Sequence, residues 1–139
     1  MTHNNFLTAY LSTKVDYDWQ YWYQCTDLAK VYAQEVRWIT PWTFWWSAKN
    51  ADQSTFPWST IFTSWPGKDL QQWDILIQWP TSRNMYGHVW IVHRADRFWY
   101  YLMEQNAVTG NWWWVGDDAV RINYYRWSER NILRFFRKI

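Results

Sequence analysis

The single cysteine of the chain, Cys25, lies in the segment YQCTDLAKVY, where apolar residues recur at helical spacing. The repeat of Cys25, Leu28, Ala29, Tyr32 and Val36 on one face predicts a helix that begins near the cysteine. Because the first N–H groups of a helix are unpaired and form the positive end of its dipole, they stabilise negative charge on sulfur. A thiolate in this position is a nucleophile that can attack a carbonyl carbon. The alternative is an inert cysteine that packs in the core.

A nucleophilic cysteine needs a general base, and the chain has three histidines, His3, His88 and His93. His3 is expected to lie in a mobile terminus. His88 follows Gly87 at the start of a predicted strand, where its side chain could reach the end of a neighbouring helix. His93 falls on the opposite face of that strand if the strand is regular. The alternative is that His88 is a strand histidine held by ordinary hydrogen bonds.

The next predicted strand ends in MEQN, which places Glu104 and Asn106 on one face because strand side chains alternate. Either residue could accept a hydrogen bond from the imidazole and hold its tautomer, as the third member of a catalytic triad does. Exposed polar residues at a strand end would have the same spacing. The spacing alone therefore leaves both interpretations open.

Oxygen donors flank the cysteine at the spacing of a calcium-binding loop. Counted from Asp16 as position 1, donors fall at positions 1, 3, 5, 7 and 12, which are Asp16, Asp18, Gln20, the Trp22 carbonyl and Asp27. Tyr21 stands where an EF-hand requires glycine, and position 12 is Asp rather than Glu. The alternative is a solvated acidic turn, with Asp27 near the positive end of the helix. The spacing favours calcium over that turn.

The elements that must position these residues are two helices followed by strands. Apolar spacing after Asn4 and Asn5, which suit an N-cap, predicts the first helix, and the second spans Cys25 to about Val36. Residues 37–72 are expected to form a long loop with at most a short helix. Strands are predicted at Asp74–Gln78, His88–Arg94, Phe98–Gln105, Val120–Arg126 and Ile132–Arg137. Helices first and strands afterwards predict an α+β fold in a single domain, residues 1–139.

The overall charge restricts the classes of partner. A formal net charge of +2 over 139 residues is too small to favour nucleic acid. Basic side chains crowd the last twenty residues, where a solvated face is favoured over attraction to an anionic polymer.

No secretory signal and no bilayer-length apolar stretch are present in the sequence. We therefore expect a protein made in the cytoplasm of its host, without a membrane partner. A monomer is also expected.

Three motifs taken together, DYDWQYWYQCTDL, GHVWIV and EQN, resemble the CHAP family of cysteine- and histidine-dependent amidohydrolases/peptidases. Members of this papain-like family occur in phage endolysins and bacterial cell-wall enzymes. The resemblance covers nearly the whole chain and implies a CHAP fold, in which N-terminal helices pack on a five- to six-stranded antiparallel sheet. It also implies release into the bacterial cell wall and hydrolysis of an amide bond in peptidoglycan. That bond joins muramic acid to L-alanine or lies within the stem or cross-bridge peptide.

The resemblance implies a role for each site residue. Cys25 would be the nucleophile, His88 the general base and then acid, and Glu104 the residue that orients His88 with help from Asn106. Gln24 and the backbone N–H of Cys25 would form the oxyanion hole. Some CHAP domains of endolysins bind calcium with the set of positions given above. The alternative is a non-catalytic wall-binding module that stacks rings on sugars, since 24% of the chain is aromatic.

Tryptophan is abundant and glycine is scarce, with 16 Trp and 4 Gly. Many of the tryptophans stand where the family pattern or ordinary turn chemistry has glycine or another small residue. These positions are Trp19, Trp22, Trp73, Trp90, the pair Trp45 and Trp46, and the run Trp112 to Trp114. A non-glycine residue in the left-handed region costs about 1–2 kcal/mol, and overpacking costs about 1–3 kcal/mol. Roughly a dozen such replacements would exceed the about 5–15 kcal/mol that stabilises a domain.

A single cause would explain the excess of tryptophan, because UGA encodes Trp in one variant genetic code and Gly in another. We therefore predict that most Trp positions are UGA codons and that the working protein carries glycine there. Trp42, in TPWTF, is expected to be a genuine tryptophan. UGG codons at Trp19, Trp22 and Trp73 would contradict this hypothesis. The chain made as written is expected to fold poorly, to aggregate and to have little activity.

Overall fold

The computed structural model describes residues 1–15, 25–37, 48–50, 59–62, 70–78, 87–96, 98–105, 119–126 and 132–138. In these ranges it has two α-helices, a short 3₁₀ helix and six strands. The helices are α1 (His3–Tyr10), α2 (Cys25–Arg37) and the 3₁₀ helix Ala48–Asn50. The strands are β1 (Ser59–Phe62), β2 (Ile75–Gln78), β3 (His88–Ala95), β4 (Trp99–Glu104), β5 (Arg121–Arg126) and β6 (Ile132–Lys138). The predicted α+β class is confirmed.

The strands form one antiparallel sheet in the order β1-β6-β2-β3-β4-β5. Strands β2 to β5 are neighbours in chain order, whereas β6 returns to lie between β1 and β2. The five predicted strands agree with the structure to within one residue at each end. The expected long loop 37–72 was wrong at Ser59–Phe62, which is strand β1. Four residues are too few to show alternation, and their partner β6 follows much later in the chain.

The two helices begin with different signals. The N-cap of α1 is Thr2, whose side chain accepts a hydrogen bond from the backbone N–H of Asn5 at 3.1 Å, and the two asparagines lie inside the helix. Helix α2 begins at Cys25, as its apolar spacing predicts, and runs to Arg37. Neither described helix is long and apolar enough to span a membrane.

The sheet is buried on both faces, since two apolar clusters divide its alternating side chains. The first cluster joins α2 to one face and contains Leu28, Ala29, Tyr32, Val89, Ile91 and Met103. The second lies on the other face and contains Leu76, Trp90, Val92, Tyr100, Leu102 and Phe135. The alternation along β3 therefore fixes which residues share a face with α2 and which lie opposite it.

The segment that precedes residue 16 is attached to the sheet near the end of β4. The side chain of Gln105 accepts a hydrogen bond from the Val15 backbone N–H at 2.7 Å and donates one to the Val15 carbonyl at 2.8 Å. Ser12 N–H donates to the Val120 carbonyl, and Val120 N–H donates to the Thr13 carbonyl, both at 2.8 Å. These four bonds hold residues 12–15 beside the strand ends that carry Glu104 and Arg121.

The expectation that His3 lies in a mobile terminus was wrong, because His3 is buried in α1. Its Nδ1 atom lies 2.9 Å from the Tyr32 hydroxyl of α2, and its Nε2 atom lies 3.1 Å from Nδ1 of His93 on β3. The aromatic ring of Trp73 also lies close to that of His3. His3 therefore connects the first helix to the second helix and to the sheet.

Trp73 has the positive φ expected of a glycine position. It lies in the turn that leads into β2, with a φ of 84°, in the left-handed region that disfavours a side chain. Its backbone N–H donates to the Val92 carbonyl at 2.9 Å, which ties the turn to β3. Trp90 differs, since it packs as a core residue in the second cluster and has no positive φ. The structure thus gives a backbone reason for glycine at position 73 and none at position 90.

Replacement of Trp73 by Gly and by Ala separates backbone strain from loss of the side chain, because both variants lose the indole ring. Relief of left-handed strain favours Gly by about 1–2 kcal/mol, whereas its greater freedom in the unfolded chain costs roughly 0.4–1 kcal/mol. We expect Trp73→Gly to have the larger free energy of unfolding by about 1 kcal/mol, measured by urea denaturation.

The same pair of substitutions at Trp99, the first residue of strand β4, is the matched control. There we expect the Ala variant to be the more stable by about 0.5–1 kcal/mol, as in any regular strand. If the Ala variant at position 73 is as stable as the Gly variant, the backbone at this position is not strained by a side chain.

Candidate active site

Three elements bring the candidate catalytic residues to one end of the sheet. Strand β3 begins at His88 and its antiparallel neighbour β4 ends at Glu104, so both residues lie at the same end. Helix α2 packs against β3 and begins at Cys25. The sulfur therefore lies at the helix N-terminus, where unpaired N–H groups favour negative charge. The structure brings together Cys25, His88 and Glu104, as the motifs predict.

His88 lies between the cysteine and the carboxylate. Its Nε2 atom is 3.7 Å from Oε2 of Glu104, and both side chains are buried. Neither of these two atoms has a hydrogen-bond partner in the described part of the chain. This separation is too long for a hydrogen bond, so the two side chains make an ionic contact. A shift of a few tenths of an ångström toward each other would bring the two atoms within hydrogen-bond distance. His88 also lies close enough to Cys25 for the two side chains to interact.

The charges at this site support one another. Burial alone would lower the pKa of His88, but attraction and hydrogen bonding to Cys25, together with the Glu104 contact, raise that pKa to about 10. Burial alone would raise the pKa of Glu104, but the contact with His88 and the hydrogen bonds from Tyr125 and Asn123 outweigh it and lower that pKa. The site therefore favours an imidazolium beside a carboxylate over two neutral groups.

The second oxygen of Glu104 is held by strand β5. Asn123 donates from Nδ2 to Oε1 at 2.7 Å, and the Tyr125 hydroxyl donates to the same atom at 2.6 Å. Sequence reasoning missed both residues. Their alternate spacing places them on one face, but which carboxylate they reach depends on the register of β5 against β4.

The remaining predicted site residues lie mostly outside the described ranges. Outside them lie Gln24, predicted for the oxyanion hole, and Asn106, predicted to support His88. Four of the five predicted calcium ligands also lie outside them, namely Asp16, Asp18, Gln20 and Trp22. The fifth, Asp27, is a buried carboxylate in the first turn of α2. Among the described residues, no group of three or more His, Cys, Asp or Glu could hold a metal ion.

Comparison with known proteins identifies the family. The model of the CHAP domain matches residues 16–106, so the chain belongs to the CHAP domain family and the resemblance in its motifs is confirmed. No curated protein matches the chain significantly.

Solved structures of similar fold include an endolysin and the protein Ly7917. The wild-type endolysin LysIME-EF1 has a TM-score of 0.77 and 19% identity, over 99% of this chain and 64% of that one. Ly7917 has a TM-score of 0.73 and 25% identity, over 99% of this chain and 62% of that one. The structure of Ly7917 with the hydrolyzing product of MDP has a TM-score of 0.69 and 23% identity, over 96% of this chain and 60% of that one. The chain spans less than two thirds of the length of these proteins.

Replacement of Glu104 by Gln should lower the pKa of His88, because the amide keeps the shape of the carboxylate but loses its charge. A histidine is charged below its pKa, so the imidazolium would be lost at a lower pH. Cys25→Ala should act in the same direction, and the double variant should leave burial as the main influence, with a pKa below the ordinary 6.5. NMR titration of histidine ring signals measures these changes.

His93 provides the internal control for this titration. Burial and the nearby Arg94 already lower its pKa, and its ring contacts His3 rather than Glu104. Its titration should be the same in all variants. An unchanged His88 curve in Glu104→Gln would show that the carboxylate does not support the imidazolium.

Proposed function

We propose that this chain hydrolyses an amide bond of bacterial peptidoglycan by a thiol mechanism, as a phage endolysin-like enzyme. The observation that carries the proposal is the contact of His88 with both Cys25 at a helix N-terminus and the buried Glu104. Membership of the CHAP domain family and the fold shared with endolysins support it. Ly7917 has been crystallised with the hydrolyzing product of MDP, which supports a hydrolytic activity here.

In the proposed reaction the Cys25 thiolate attacks the carbonyl carbon of the amide, and the carbonyl electron pair moves to oxygen. N–H groups at the start of α2, with Gln24, would stabilise that oxyanion. As the C–N bond breaks, the His88 imidazolium gives its proton to the departing nitrogen and an acyl-enzyme remains. His88 then takes a proton from water, whose oxygen attacks the acyl carbon and releases the thiolate. Glu104 orients His88 and balances its charge, with help from Asn106.

The substrate bond has two candidates. One joins muramic acid to L-alanine, and the other lies within the stem or cross-bridge peptide. Mass spectrometry of digested peptidoglycan distinguishes them, because the first leaves a free L-alanine amine and the second leaves a new peptide terminus. The site of action would be the cell wall, after release from the host cytoplasm, with the protein acting as a monomer.

Cys25→Ala should abolish degradation of purified peptidoglycan while the protein still sediments with it. Loss of the nucleophile is expected to reduce the rate by about a thousandfold or more, measured as the fall in turbidity. His88→Ala should have a similar effect. His93→Gln is the matched control, since it changes a histidine of the same strand that contacts His3 rather than Cys25.

The alternative function is a non-catalytic wall-binding module that stacks aromatic rings on sugars. It requires that Cys25→Ala and the unmodified chain bind peptidoglycan equally and that neither degrades it. Degradation by the Cys25→Ala variant at the rate of the unmodified chain would overturn the thiol mechanism.

We further propose that calcium stabilises the segment around Cys25, with Asp27 as one ligand. The support is the oxygen-donor spacing of Asp16, Asp18, Gln20, Trp22 and Asp27, and the buried carboxylate of Asp27 beside the cysteine. When bound, the ion would supply positive charge that links residues 16–22 to the start of α2.

Calcium should therefore raise the melting temperature, and a chelator should reverse the rise. An ion that binds only the native state raises the free energy of unfolding by about 2.7 kcal/mol when the free ion is at a hundred times its Kd. Differential scanning calorimetry measures the effect. Asp27→Asn should lose most of it, whereas Asp96→Asn, an exposed aspartate of the β3–β4 turn, should keep it. Equal melting curves with calcium and with chelator would contradict the proposal.

A further inference from the structure

The carboxylate of Glu104 uses its two oxygens differently. Oε1 accepts both hydrogen bonds from β5, at 2.7 Å from Asn123 and 2.6 Å from Tyr125. Oε2 has no hydrogen-bond partner within the described ranges and lies 3.7 Å from Nε2 of His88. One oxygen is thus occupied by the scaffold, and the other faces the candidate general base.

The register of the sheet explains how β5 reaches the carboxylate. Glu104 pairs with Arg121, Leu102 with Asn123 and Tyr100 with Tyr125. Because alternate residues share a face, Asn123 lies diagonally across from Glu104, and Tyr125 lies one step further along the same face. Asn123 reaches Oε1 from the diagonal position, and the longer phenol side chain of Tyr125 spans the extra step.

We propose that Asn123 and Tyr125 are positioning residues that fix the Glu104 carboxylate so that Oε2 faces His88. The inference rests on the proposed function for the roles of His88 and Glu104. The terminal torsion of a glutamate is broad and roughly two-fold, so packing alone does not select one rotation of the carboxylate. Two donors that converge on one oxygen do select it.

Tyr125 is itself held by aromatic contacts that lead back to His88. Its ring centroid lies 5.9 Å from that of Tyr100 and 6.0 Å from that of Trp90. The Trp90 ring in turn lies 5.1 Å from that of His88, in an edge-to-face arrangement. The contacts close a ring of four residues, from His88 through Trp90 and Tyr125 to Glu104 and back. The imidazole and the carboxylate are therefore positioned by the same Trp90–Tyr125 contact.

The two hydrogen bonds also keep Glu104 charged, since both lower the pKa of its carboxyl group. A carboxylate is charged above its pKa. Removal of either donor raises that pKa, so the charge is lost at a higher pH as the solution is acidified. The other charged or titratable groups of this site are His88 on β3, Cys25 on α2 and Arg121 on β5, which is the strand partner of Glu104.

The test uses alkylation of Cys25 by iodoacetamide, which needs no peptidoglycan and reports one residue because the chain has one cysteine. Rates are measured against pH by mass spectrometry for the unmodified chain and for Tyr125→Phe, which keeps the ring but removes the hydroxyl. We expect the acid limb of the profile to move to higher pH and the rate on that limb to fall about tenfold. Tyr124→Phe is the matched control, because Tyr124 is the adjacent tyrosine and its side chain is 65% exposed.

Two further variants grade the effect. Asn123→Ala removes the second donor and should move the acid limb in the same direction. Asn123→Asp places a second carboxylate against Oε1 and should move it further, since like charges raise a carboxyl pKa. In a Glu104→Gln background, Tyr125→Phe should add little, because the residue through which it acts has lost its charge.

Profiles of Tyr125→Phe and Asn123→Ala that superimpose on that of Tyr124→Phe would overturn the proposal. A lower melting temperature with an unmoved acid limb would show a structural role only and would also overturn it. The proposal would also be overturned if Tyr125→Phe shifted the acid limb as much in the Glu104→Gln background as in the unmodified chain. Failure of the unmodified chain to degrade peptidoglycan would remove the proposed function, while a shifted alkylation profile would still establish the positioning role.

Discussion

The site depends on one interaction, the buried contact between the His88 imidazole and the Glu104 carboxylate. A charge removed from water is costly unless it is paired and hydrogen-bonded, so each partner requires support from the surrounding elements. Cys25 supplies that support to His88, and Asn123 and Tyr125 supply it to Glu104. The antiparallel pairing of β3 with β4 is what places the two charges at the same end of the sheet.

The two apolar clusters give this contact a rigid setting. Cys25 belongs to the cluster on the helix face, whereas Trp90, which touches His88, belongs to the cluster on the opposite face. The reacting groups therefore meet at the sheet end where both clusters terminate. Precise geometry at such a place requires packing on both sides, because a side chain fixed from one side alone keeps its rotational freedom.

The elements with strong local patterns could be predicted from the sequence, and those set by distant partners could not. Helix α2 and five strands have clear periodicity, and the motifs around Cys25, His88 and Glu104 identify the family. Strand β1 and the burial of His3 arise from contacts with β6, Tyr32 and His93, which no local pattern specifies. Asn123 and Tyr125 were missed for a related reason, since their partner is set by strand register. The positive φ of Trp73 agrees with the glycine that the family pattern has at this position.

The place of β6 within the sheet has a consequence for biosynthesis. It pairs with both β1 and β2, yet it is the last of the described strands to leave the ribosome. Until then the nascent chain exposes the unpaired backbone edge of β2, with its apolar Ile75, Leu76 and Ile77, and leaves β1 without its neighbour. Such an open edge is a template for wrong pairing between chains, and contacts of long sequence separation form slowly. Yield of this fold in a cell therefore depends on how long that edge stays open before β6 is available to pair with it.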